Sequence, residues 1–113
     1  MSQMYAIPPE TELVESDIKY LTFYIMEKDP ISGSLSYYDL SGASSIVLRL
    51  RKYNETSNAL EVTMVVTNPT LGLCRVLATI PPAGRYESEI EVYEAEEHNT
   101  WKGPVLKVRS QLG

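Results

Sequence analysis

Asp39-Leu40-Ser41-Gly42-Ala43-Ser44-Ser45-Ile46-Val47-Leu48-Arg49-Leu50-Arg51-Lys52 is a turn that runs at once into an alternating strand. It is answered by Pro82-Ala83-Gly84-Arg85-Tyr86-Glu87-Ser88-Glu89-Ile90-Glu91-Val92, built the same way. In the first stretch Ile46, Leu48 and Leu50 fall on one side, and Val47, Arg49 and Arg51 on the other. In the second, Tyr86, Ile90 and Val92 oppose Glu87, Glu89 and Glu91. Successive strand side chains point to opposite faces, so this period of two marks strands with one buried side. Such strands opened by glycine turns predict an antiparallel β-sandwich.

Working outward, Ile18 to Met26 reads as a strand with Leu21, Phe23 and Ile25 on one face and Tyr20, Thr22 and Tyr24 on the other. Leu60, Val62, Met64 and Val66 face inward on a later strand, against Glu61, Thr63, Val65 and Thr67. Leu73 to Ile80 is a strand whose inward face is ambiguous, and Pro81-Pro82 ends it, because proline cannot donate to a ladder. Val105 to Arg109 is a last strand. Lys28 to Tyr37 and Asn68 to Gly72 are turn-rich, Asn54 to Asn58 is a hairpin loop, and Glu94 to Gly103 is a polar connection. No stretch shows the period of a helix. The expected architecture is all-β, a sandwich of about seven strands over residues 17–113, preceded by an extended N-terminal arm over residues 1–16.

The 113 residues fit one domain, with 43% hydrophobic and 22% charged content. A net charge of -5 argues against nucleic acid as a partner, since phosphate binding needs clustered Lys and Arg. No run approaches the roughly 20 apolar residues that span a bilayer, so no membrane is expected. Met1 to Pro9 has neither the basic start nor the apolar run of a secretory leader.

Catalytic chemistry finds few candidates. Cys74 is the single cysteine and His98 the single histidine, in different segments; each reads more simply as a core thiol and a loop residue. Glu87, Glu89 and Glu91 put three carboxylates on one strand face, but strand neighbours two apart stand roughly 6.6 Å from each other. That is a solvated face rather than a cation cage, with Arg49 and Arg51 as a matching basic pair. No catalytic, cofactor-binding or metal-binding residue is expected. The candidates for binding a partner are Met4, Tyr5 and Ile7 in the arm, Tyr20 and Tyr24 on the first strand, Arg49, Arg51 and Trp101. Tyrosine suits contact surfaces, being apolar in body and wet at its tip. Trp101 reads either as packing or as an interface anchor.

The order of pieces resembles a known family. An early strand is followed by Asp39-Leu40-Ser41-Gly42-Ala43 opening a strand that ends Arg49-Leu50-Arg51-Lys52. Then come a glycine-bearing turn, Ala83-Gly84-Arg85-Tyr86-Glu87-Ser88-Glu89-Ile90-Glu91-Val92, and a closing apolar strand. Across Ile18 to Arg109 this is similar to the N-terminal domain of baseplate upper proteins of tailed bacteriophages. The resemblance implies an Ig-like sandwich located in the virion that attaches to other phage virion proteins, as a homo-oligomer in the particle, and performs no chemistry. The family's domain is followed by a longer chain carrying receptor-binding machinery, which does not follow Gly113. A capsid decoration (cement) protein is therefore the expected role, with the arm as its attachment. A tail or baseplate component of the host-adsorption apparatus, and a carbohydrate-binding sandwich, are the alternatives.

Overall fold

In a computed structural model of the chain, residues 13–111 and the backbone of Ser2–Ala6 are described. Eleven strands are present among them: β1 (Ser2–Ala6), β2 (Leu13–Val14), β3 (Ile18–Lys28), β4 (Leu35–Tyr37), β5 (Ala43–Lys52), β6 (Leu60–Thr63), β7 (Val65–Asn68), β8 (Leu73–Thr79), β9 (Gly84–Glu94), β10 (Glu97–Lys102) and β11 (Leu106–Arg109). The only helical element among the described residues is a short 3-10 turn, Pro69–Leu71.

The strands form two sheets. One has five strands in the order β1-β3-β8-β7, with β4 also on β3; the other has six in the order β2-β11-β9-β5-β6, with β10 also on β9. In immunoglobulin letters the first sheet is A-B-E-D. The second is G-F-C-C′, with the second half of the first strand added in parallel beside G. The fold is an Ig-like β-sandwich. Eleven segments reduce to the expected plan of about seven strands because the first and last strands are each split, Leu60 to Asn68 is divided between sheets, and the three-residue β4 is a short addition to β3. Tyr86, at the start of the F-equivalent β9, donates its hydroxyl to the Pro82 carbonyl at 2.5 Å, the bond that pins the E–F corner in Ig-like sandwiches.

The core is made by the alternating positions. Leu21, Phe23 and Ile25 of β3 and Cys74 and Ala78 of β8 face Ile46, Leu48 and Leu50 of β5 and Tyr86, Ile90 and Val92 of β9. Leu48 and Ile90 stand directly opposite each other in register, both fully buried.

Three expectations change. Leu60 to Thr67 is one run of alternation but two strands: β6 pairs with β5, the chain crosses at buried Met64, and β7 pairs with β8 in the other sheet. The inward side of one sheet becomes the inward side of the other, so the pattern passes through the crossing unbroken. Glu94 to Gly103 is a hairpin strand rather than a connection, with β10 paired to β9 across Ala95 at φ 49. Its polar side chains are exposed except for Trp101, so it shows no period of two. The same edge of β9 then receives β11, after a bulge held by the Ser88 hydroxyl on the Pro104 carbonyl at 2.7 Å.

The expected arm enters the fold instead of standing off it. Ser2–Ala6 pairs antiparallel with β3, and Leu13–Val14 pairs in parallel with β11. Pairs this short, made with partners distant in sequence, leave no periodic signature. Residues 7–12, including Ile7, lie outside the described residues.

Candidate functional site: the outer face of the five-stranded sheet

The two outer faces of the sandwich differ in chemistry. On the six-stranded sheet, β5 lies between β6 and β9, which brings the basic and acidic strand faces together. Arg49 reaches Glu61 at 2.7 Å, Glu91 at 2.9 Å and Glu89 at 3.8 Å. Glu91 also accepts the Tyr93 hydroxyl at 2.8 Å and lies 2.5 Å from His98 Nδ1. The hydroxyl of Tyr93, then Arg49, then His98 hold the Glu91 carboxyl below the usual carboxylate range, against partial burial. The same carboxylates, Glu61 first, hold the Arg49 guanidinium above its usual value. This face neutralises itself by cross-strand pairs worth about 0.2–1 kcal/mol each. Arg51 lines a shallow cleft of about 160 Å³ with Glu87, Asn58 and Lys102, and its Nε donates to Asn58 at 3.3 Å.

The outer face of the five-stranded sheet is apolar. The side of β3 opposite the core carries Ile18, Tyr20, Thr22, Tyr24 and Met26, with Lys28 at its end; that of β8 carries Leu73, Arg75, Leu77 and Thr79; β7 adds Val65. Register places Tyr20 beside Leu77, Thr22 beside Arg75, and Arg75 beside Val65. Exposure is high: Ile18 68%, Val65 64%, Tyr20 55% and Leu77 54%. Tyr37 of β4 meets Tyr24 edge-on with ring centroids 6.1 Å apart, and the Arg75 guanidinium lies 4.2 Å above the Tyr20 ring. Scattered exposed apolar residues are ordinary, but a contiguous sheet face of them marks an interaction surface.

The candidates from sequence divide between these settings. Tyr20 and Tyr24 lie on the apolar face. Met4 and Tyr5 stand in β1 at the edge of that same sheet, opposite Ile25 and Tyr24 in register. Arg49 is occupied within its own sheet. Trp101 is a packing residue, 2% exposed, with its ring 4.8 Å from that of Tyr38, so it offers no anchor to a partner. Its indole Nε1 has no hydrogen-bond partner among the described residues. Cys74 is fully buried, and burial pushes its thiol up to about 12. Among the described residues no three His, Cys, Asp or Glu side chains are placed to hold a metal ion.

Sequence reasoning passed over Ile18, Val65, Arg75 and Leu77. Their signal was present in β8. A strand whose inward face is ambiguous has two apolar faces, and one of them is uncovered here. In comparisons with protein-family models and with curated proteins, nothing matches this chain.

Proposed function

We propose that this chain is a non-enzymatic structural protein of a bacteriophage virion, an accessory Ig-like sandwich that docks on the particle as a capsid decoration protein. The observation that carries docking is the contiguous apolar, tyrosine-bearing outer face of β3, β8 and β7. The resemblance across Ile18 to Arg109 supports the particle as its place. A sheet face is a rigid platform, so docking orders few side chains and costs little conformational entropy. Carbohydrate binding is less well supported. Tyr20 and Tyr24 are flanked by Ile18, Leu77 and Val65 rather than by the convergent polar groups a sugar requires.

The test is occupancy. Wild-type protein and Tyr20→Glu/Leu77→Glu protein are added to purified phage heads, and separately to purified tails, that lack the chain, and bound protein is measured by sedimentation. Wild type should saturate heads, while the double variant, equally stable in urea, should lose at least about a hundredfold in affinity, the effect of two interface hot spots. Saturation of tails and not heads would move the role to the baseplate. Equal binding by both proteins would remove this face from the mechanism.

A further inference from the structure

Arg75 is the ionised side chain in the middle of the apolar face, in a chain of net charge -5; Lys28, on the same side of β3, stands at its far end beside Leu35 of β4. Its neighbours in register are Thr22 and Val65. Among the described residues it makes no ion pair; its contact is the Tyr20 ring 4.2 Å beneath it. A guanidinium stays protonated in proteins, so covering this face buries a permanent charge. Such a charge is tolerated in an interface only when paired. Stacking on Tyr20 covers one flat side of the guanidinium and leaves its N–H fork to receive a carboxylate in the plane.

Resting on the docking role above, we infer that the occupant of this face is a different protein, whose apolar contact surface carries an Asp or Glu carboxylate seated on Arg75. A second copy fits poorly. Two-fold packing of this face on itself pairs identical patches, and wherever the axis falls the described strand positions of the mate supply no carboxylate. Head-to-tail packing on the opposite face meets Glu61, Glu89 and Glu91, which Arg49 and His98 already engage, and Glu87, which stands opposite Arg51 in register and shares a cleft with Arg51 and Lys102. Charge complementarity therefore selects an acidic, apolar partner, and sets the register in which it docks.

The experiment uses phage heads lacking the chain, with wild type, Arg75→Gln, Arg75→Glu and Leu77→Glu, each first matched for urea midpoint. Arg75→Gln should weaken binding roughly ten- to a hundredfold, the loss of one charge-assisted pair. Arg75→Glu should abolish it, and added NaCl should weaken wild type more than Arg75→Gln. The protein alone should sediment as a monomer up to millimolar concentration. Wild-type binding by both Arg75 variants, with binding lost in Leu77→Glu, would overturn the carboxylate inference and leave the docking face standing. Binding unchanged in Leu77→Glu as well, or no binding by wild type, would overturn both. Self-association of the protein alone that Leu77→Glu abolishes would make the occupant a second copy and overturn the inference.

Discussion

At the scale of single residues, two positions show how backbone and charge constraints hold the sandwich. Gly72 closes the 3-10 turn at φ 62, and a Cβ built there would lie 2.5 Å from the Ile25 carbonyl oxygen and 2.8 Å from that of Tyr38. Both obstacles are backbone, in the ladder where Ile25 N–H donates to the Gly72 carbonyl at 2.9 Å. Gly72→Ala should therefore cost about 1–3 kcal/mol, from the left-handed conformation and the clash together. Gly42→Ala, whose Cβ would meet only the Glu94 carboxylate at 3.8 Å, should change little. Urea midpoints check this; equal midpoints for the two variants would contradict it. Glu91 supplies a prediction in pH. Its carboxyl is held low in the folded chain, first by the Tyr93 hydroxyl and then by Arg49. Its ionised form thus contributes stability fully above the ordinary carboxylate value of about 4.3, and that contribution fades as pH falls through the lowered native value. The gap in urea midpoint between wild type and Glu91→Gln should be widest near neutrality and close on acidification. A gap independent of pH would mean that Glu91 acts through packing alone.

Among elements, legibility followed the difference between a strand's two faces. β3, β5 and β9 place apolar against polar or semi-polar residues, and their buried sets were readable as written: Leu21, Phe23 and Ile25; Ile46, Leu48 and Leu50; Tyr86, Ile90 and Val92. β10 presents polar side chains to solvent at every position but Trp101, and so resembles a loop. β8 has the opposite problem. Cys74 and Ala78 face the core while Leu73 and Leu77 face outward, so period two gives no sign of direction. The pairing of β5 with β9 settled what the acidic and basic faces do. Arg49 stands opposite Glu89 on one side and Glu61 on the other, and the charges serve the sheet. Tyr20 and Tyr24 were legible as contact residues from their type and strand position. Arg75 was not, because its place among apolar neighbours depends on a register that no local pattern carries.

The whole molecule sorts its surface into two unlike faces. The six-stranded side is laced with cross-strand ion pairs around Arg49. The five-stranded side is left apolar, edged by β1 and centred on the Tyr20–Arg75 stack. A single small sandwich gains nothing in solubility from an uncovered apolar sheet, so its retention fits a surface meant to be covered. Hydroxyl-radical footprinting of the free and particle-bound protein tests that reading most directly, because it reports side-chain cover residue by residue. Oxidation of Tyr20 and Leu77 should fall sharply on binding, while oxidation of Tyr53 and His98, exposed elsewhere, should stay as in the free chain. Protection of His98 with Tyr20 and Leu77 still reactive would contradict docking through the five-stranded sheet.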